Sequence, residues 1–145
     1  MSASVLLLHG PNLNLLGQRE PHIYGTDTLA DYVAEARAEA ERHGLQLADF
    51  QSNHEGALVD AIHAARGVHA AIVINPGAFT HYAWSLHDAL SAFTGVKIEV
   101  HISNPNAREP WRHTSVVAPV VNGSIIGLGR TGYRLALDAV AARLQ

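Results

Sequence analysis

The chain has 145 residues, 48% of them hydrophobic, a net charge of −3 and no cysteine. That length suits a single domain, residues 1–145, burying roughly 68–70% of its unfolded surface, and the absence of thiols excludes disulfides, thiol catalysis and zinc–thiolate sites. No basic stripe, no run near ~20 apolar residues and no basic segment ahead of the opening apolar run occur, so nucleic acid, membrane and secretion signal are not expected and a cytoplasmic setting is.

Residues 5–8 form the first of four short apolar runs that read as buried strands, with 45–50, 70–74 and 96–100. Residues 124–128 make a fifth. Between them lie segments of helical periodicity. The first, 28–43, places Leu29, Val33, Ala36 and Ala40 on one face and stops at Gly44. The second, 55–66, turns Leu58, Ile62 and Ala65 inward and ends at Gly67. The third, 81–93, uses Leu86, Leu90 and Phe93, and the last follows Thr131 with a stripe of Tyr133, Leu137, Val140 and Leu144. This alternation predicts an α/β fold in three layers: a flavodoxin-like, doubly wound, five-stranded parallel sheet.

In such sheets ligands bind beyond the carboxyl ends of the strands, near the point where strand order reverses. His9-Gly10-Pro11-Asn12-Leu13-Asn14 follows the first strand, Asn75-Pro76-Gly77 the third and His101-Ile102-Ser103-Asn104 the fourth. Three polar, turn-rich clusters therefore converge on one edge. Gly127-Leu128-Gly129-Arg130-Thr131-Gly132 matches the dinucleotide fingerprint literally. The second strand and the acidic residue ~20 positions on that the fingerprint requires are missing, because the sequence ends at Gln145. It reads as a close strand-to-helix turn, and no cofactor is expected.

Residues 17–25 are bounded by glycines and carry Arg19 and Tyr24, which fits either a loop that closes over a ligand or a plain surface connection. Glu99 and His101 are two apart on a strand and share a face, where a carboxylate favours the protonated imidazole that can act as an acid; the alternative is a structural strand-end histidine. Arg108 and Arg112 flank Pro110 in an irregular segment, placed either to bind an anion or as surface charge. Ten histidines are present, but none with metal-ligand spacing, so no metal site is expected. The single lysine, Lys97, is expected to point away from the His101 face, which disfavours imine chemistry.

Together these blocks resemble the type II 3-dehydroquinate dehydratases. The resemblance is carried by Gly10-Pro11-Asn12-Leu13-Asn14-Leu15-Leu16-Gly17, Arg19-Glu20-Pro21, Tyr24-Gly25, Gln51-Ser52-Asn53-His54-Glu55-Gly56 and Ile74-Asn75-Pro76-Gly77-Ala78. Thr80-His81, Glu99-Val100-His101-Ile102-Ser103-Asn104, Ala107-Arg108-Glu109, Gly127-Leu128-Gly129 and Gly132-Tyr133 continue it over nearly the whole chain. The sequence departs from the family pattern at His9, at Tyr82-Ala83-Trp84 and at His87, positions that could tune the pocket or a subunit contact.

The resemblance implies a cofactor-free enzyme that eliminates water from 3-dehydroquinate through an enolate. It implies Tyr24 as the base, acting as tyrosinate and favoured in that form by Arg19 or Arg108. Asn12 would stabilise the enolate oxygen through a held water, and His101, oriented by Glu99, would protonate the leaving hydroxyl. Asn75, His81, Ser103 and Arg112, with the backbone amides of Ile102 and Ser103, would hold the substrate's carboxylate and hydroxyls. The resemblance further implies trimers assembled into a dodecamer, with Asp88 contributed to a neighbouring subunit's site. The rival reading is a non-catalytic flavodoxin-like module that binds an anion or a nucleotide.

Overall fold

A computed structural model describes residues 2–145. Five strands, β1 (Ser4–His9), β2 (Gln46–Gln51), β3 (Ala71–Asn75), β4 (Val96–His101) and β5 (Gly123–Ile126), form one sheet in the order β2-β1-β3-β4-β5. Every pairing is parallel. After β1 comes a four-residue helix, α1 (Pro21–Tyr24), and the longer helices are α2 (Leu29–Arg42), α3 (Glu55–Ala65), α4 (Trp84–Ala92) and α5 (Arg130–Leu144).

The alternation of side chains along a strand divides the interior in two. Val5 and Leu7 of β1, Ala71 and Val73 of β3, and Ile98 and Val100 of β4 pack against Tyr32, Ala36 and Ala40 of α2 and Tyr133, Leu137 and Val140 of α5. Leu6, Leu8, Ile72 and Ile74 face the opposite way, onto Leu58 and Ile62 of α3 and Leu86 and Leu90 of α4. Three layers result, and the central strands β1 and β3, covered on both sides, are apolar almost throughout. Helix α2 begins with a reciprocal cap: Thr28 Oγ1 accepts from the Asp31 amide and Asp31 accepts from the Thr28 amide. On the surface where α2 meets α5, His43 bridges Asp138 at 2.7 Å and Glu39 at 3.7 Å, while Arg42 donates to both Glu39 oxygens.

Several expectations need correction. The run 45–50 becomes β2, an edge strand rather than a buried one: Leu47 is buried but Phe50 is 40% exposed. The fifth strand is Gly123–Ile126, ending two residues before the expected stop because Gly127 turns the chain with φ 82°. His81 does not open α4; it ends a 3-10 turn, Gly77–His81, and the helix starts at Trp84. Leu144 leaves the buried stripe of α5 and is 37% exposed. Helix α1 was not foreseen, since four residues carry no periodicity.

Candidate active site

The row of residues at the carboxyl ends of the strands sets the floor of the site. His9 is in register with Gln51 on one side and Asn75 on the other, and Ile74 is in register with Glu99. Just beyond this row a cavity of about 180 Å³ is lined by Asn12, Arg19, Tyr24, Asn75, His81, His101, Ile102, Ser103, Arg108 and Arg112, together with Pro11, Leu13, Gly77, Ala78 and Pro105. Among the described residues, three arginines and no carboxylate face it, which favours an anionic ligand.

Tyr24 reaches the cavity from α1. Pro21 occupies the first helical position, where its missing N–H costs nothing, and glycines with positive φ bracket the segment, Gly17 at 88° and Gly25 at 80°. The Tyr32 hydroxyl of α2 donates to the Tyr24 carbonyl at 3.3 Å and ties this short helix to the body. Arg108 Nη1 donates to the Tyr24 phenol oxygen at 2.8 Å and to Ser103 Oγ at 3.2 Å. The Arg19 guanidinium carbon lies 4.8 Å from the centre of the same ring. A hydrogen bond from a guanidinium strengthens as its acceptor becomes negative, so this arrangement suits a phenol oxygen that must carry charge.

His101 and Glu99 lie on the face of β4 toward α4. Glu99 is 1% exposed, and its Oε2 is 2.6 Å from His101 Nε2. Thr80 Oγ1 donates to the same oxygen at 2.5 Å, Ser115 Oγ lies 3.3 Å from both oxygens, and Ser124 Oγ is 3.5 Å from Oε1. Burial alone raises the Glu99 pKa, but the hydrogen bond and charge of His101 and the bonds from Thr80 and Ser115 outweigh it and hold the carboxyl below the usual range. An ionised Glu99 accepts from Nε2, which leaves Nδ1 as the ring nitrogen for a ligand. His81 is built differently. Its Nδ1 is 2.7 Å from the Thr114 carbonyl, and burial pushes its pKa down against the smaller upward pull of that bond. The neutral ring donates from Nδ1 to Thr114 and offers Nε2 as an acceptor.

Asn75 is fixed at both ends of its amide, donating from Nδ2 to the Tyr133 hydroxyl at 2.8 Å and accepting at Oδ1 from the Gly77 amide at 3.1 Å. Asn12 has a left-handed backbone, with φ 69° and ψ −2°. Gly10 lies so close to the next strand end that a Cβ there would sit 2.4 Å from the Pro76 carbonyl oxygen, which explains the glycine. Arg112 points in from the 3-10 turn Pro110–His113 and is bound to Glu109 at 3.0 Å.

Two expected residues stand apart from the cavity lining. Glu99 lies behind His101 and touches it. Asp88 is outside: its side chain is 85% exposed and its nearest ionic partner is its own neighbour His87, at 3.0 Å. Thr80, Ser115 and Tyr133, which hold Glu99 and Asn75, carry no sequence signal for these roles, although Thr80 and Tyr133 lie in blocks that carry the family resemblance. Lys97 was misplaced. Being four residues from His101, it shares that face of β4; its distance along the strand, roughly 13 Å, keeps it away, and its Nζ donates to the Leu90 carbonyl at 2.8 Å.

The departures from the family pattern do not reach the cavity. His9 is fully buried, its ring stacked 6.2 Å from Tyr133 and its Nε2 3.4 Å from Asp49, a contact without hydrogen-bond alignment. Tyr82 and Trp84 are 58% and 63% exposed. The glycines of 127–132 serve the backbone: Gly127 and Gly129 have positive φ, and Gly132 packs on Val100 and Ile125.

Comparison with known proteins identifies the family. The family described as dehydroquinase class II matches residues 3–141. A 3-dehydroquinate dehydratase of Ruegeria pomeroyi is 57% identical over 142 residues, covering 98% of this chain and 95% of its own. A catabolic 3-dehydroquinase of Aspergillus clavatus is also 57% identical, over 100% of this chain and 97% of its own. The crystal structure of the type II dehydroquinase from Propionibacterium acnes superposes with a TM-score of 0.94 at 45% identity, covering 98% of each chain. With a family match over residues 3–141, relatives 57% identical over nearly the whole chain and a solved structure of the same fold, the chain belongs to the class II dehydroquinase family.

Proposed function

We infer that this chain is a 3-dehydroquinate dehydratase, a hydro-lyase that converts 3-dehydroquinate to 3-dehydroshikimate. In the mechanism we propose, the Tyr24 phenolate takes the proton from C2, next to the ketone. The electrons move into the C3 carbonyl, and Asn12, through a held water, stabilises the enolate oxygen. His101, as imidazolium, gives its Nδ1 proton to the C1 hydroxyl, which leaves as water while the C1–C2 double bond forms and the ketone returns. Glu99 orients His101, Arg108 donates to the Tyr24 oxygen and the Arg19 guanidinium lies over its ring. Arg112, Asn75, Ser103 and the amides of Ile102 and Ser103 take the carboxylate and hydroxyls, and His81 accepts from a hydroxyl at Nε2.

The observation that carries this reading is the pairing within one cavity of a guanidinium-bonded phenol, 2.8 Å from Arg108, with a carboxylate-bonded imidazole, 2.6 Å from Glu99. Base and acid are thereby held by partners of opposite charge in a pocket otherwise rich in cationic and neutral donors. The test is ultraviolet absorbance with 3-dehydroquinate, since only the product has a conjugated carboxylate. A steady rise, lost in Tyr24→Phe while substrate binding persists, is expected. A flat trace from folded protein would favour the anion-binding module instead.

We also propose a homo-oligomer, trimers assembled into a dodecamer, in which Asp88 completes a neighbouring site. Its support is the exposed Asp88 carboxylate outside a cavity that has three guanidiniums and no carboxylate. Light scattering should give a mass twelve times the 15.5 kDa chain; a fully active monomer would overturn this. The expected cytoplasmic setting rests on the cysteine-free composition, and fractionation of the source cells tests it.

A further inference from the structure

The block Gln51-Ser52-Asn53 is absent from the cavity lining, yet it is bonded to the loop that carries Asn12. Asn53 is exposed at the turn after β2. Its Oδ1 accepts from the Asn12 backbone amide at 3.0 Å, across 41 residues of sequence. The same oxygen accepts from Gln51 Nε2 at 3.1 Å, and Gln51 Nε2 also reaches the Gly10 carbonyl at 3.1 Å. On the far side Gly10 donates its amide to the Asn75 carbonyl at 2.7 Å. The loop is thus gripped between the ends of β2 and β3.

The grip matters because Asn12 holds a left-handed conformation, φ 69°, which asparagine enters more readily than other side-chain-bearing residues but here without a local bond from its own side chain. No side chain of its own caps the 3-10 turn Leu13–Leu15 that it opens. Such a backbone is held most firmly where surrounding structure fixes it. Here the tie from outside the loop to Asn12 itself is Asn53. Since φ and ψ set the direction in which Cβ leaves the chain, that tie also sets where the Asn12 amide points.

We propose that Asn53 is the positioning residue for Asn12, holding its backbone so that the side chain meets the enolate oxygen, without touching substrate itself. The proposal rests on the role given to Asn12 above. Loss of one donor to a developing oxyanion costs about 10²–10³-fold in turnover, and a donor displaced rather than removed should cost less, on the order of tenfold. The needed feature is an acceptor oxygen at position 53. Aspartate supplies one, whereas alanine and leucine do not.

The experiment measures kcat and KM for Asn53→Ala, Asn53→Leu, Asn53→Asp, Asn12→Ala and the double variant Asn12→Ala with Asn53→Ala, with thermal melts as a check on folding. Expected is a roughly tenfold fall in kcat, with KM within about twofold, for alanine and leucine at 53, and near-normal turnover for aspartate. In the Asn12→Ala background the second substitution should cost less than about twofold, the non-additivity of residues acting as a unit. Equal losses in both backgrounds, or a raised KM with kcat unchanged, would overturn the proposal while leaving the role of Asn12 intact. An unchanged kcat for Asn12→Ala alone would overturn that role and the proposal together.

Discussion

Thr80→Val tests how the Glu99–His101 pair is held. The substitution keeps shape in a site where Thr80 is 1% exposed, and it removes the hydroxyl that donates to Glu99 Oε2 at 2.5 Å. A hydrogen bond to a charged group contributes ~1.5–3 kcal/mol. The loss is partly offset locally. Ser115 Oγ stands 2.6 Å from Thr80 Oγ1 and 3.3 Å from either Glu99 oxygen, so its single proton, shared between Thr80 and the carboxylate, can turn fully to the carboxylate and recover ~1 kcal/mol. A net destabilisation of about 0.5–2 kcal/mol follows, which for a chain of this size lowers Tm by roughly 1–8 °C. The sign of its pH dependence is fixed by Glu99. Its folded pKa lies below the ordinary carboxylate value, so its bonds contribute fully above that value and are lost as pH falls through the folded one. Melts of the variant and parent at equal protein concentration should therefore differ at pH 7 and converge at the acid end. A gap of constant size down to acid pH would refute the claim that the hydroxyl serves an ionised Glu99.

Glu99→Gln should flatten the acid limb of the stability curve, because the buried carboxylate whose ionised form the fold favours is gone; urea melts from neutral to acid pH check this. His101→Ala should lower kcat by about 10²–10⁴-fold, the usual worth of a positioned acid, in the absorbance assay, with folding intact by circular dichroism. The His81 ring, whose pKa burial lowers, should stay neutral until the pH is below the ordinary histidine range, as its NMR titration will show. Borohydride with substrate should leave activity unchanged, because the chain's one amine side chain is bonded to the Leu90 carbonyl far from His101; progressive inactivation would instead point to an imine. Gly10→Ala should destabilise by ~1–3 kcal/mol and depress activity as well, since a methyl group 2.4 Å from the Pro76 oxygen must push two site-bearing turns apart.

Much of the architecture was legible because its signals are local. Glycines 44 and 67, with φ 71° and 75°, stop the first two long helices where the periodicity ends, and the inward residues of α3 and α4 are those that the 3.6-residue repeat selects. The parts not legible depend on neighbours. An apolar run such as 45–50 does not state whether a strand will lie on its outer side, and in β2 none does. Lys97 and His101 show that side-chain parity fixes the face but not the position along it. Thr80 and Ser115 reach Glu99 from 19 and 16 residues away, by way of turns whose course only the fold determines.

The two faces of the sheet divide the work of the site. Glu99 and His101 point toward α4, where hydroxyls from the Gly77–His81 turn and from Ser115 surround the carboxylate. Asn75 points the opposite way, onto Tyr133 of α5, which His9 backs in turn. The acid is therefore anchored in one layer and a substrate-binding amide in the other, while Tyr24 comes from a third place, a short helix between two glycines. Two of these three anchors sit on the sheet, and the third lies between glycines with positive φ. It follows that substitutions in the α4 layer should alter the acid's behaviour, those in the α5 layer should alter binding through Asn75, and changes at Gly17 or Gly25 should alter the placement of the base. Substitution of Gly25 separates these cases well. A Cβ there meets nothing within 4 Å, but φ is 80°, so alanine strains the turn after α1 without crowding the pocket, and its effect should fall on kcat with Tyr24, His101 and Asn75 all still present.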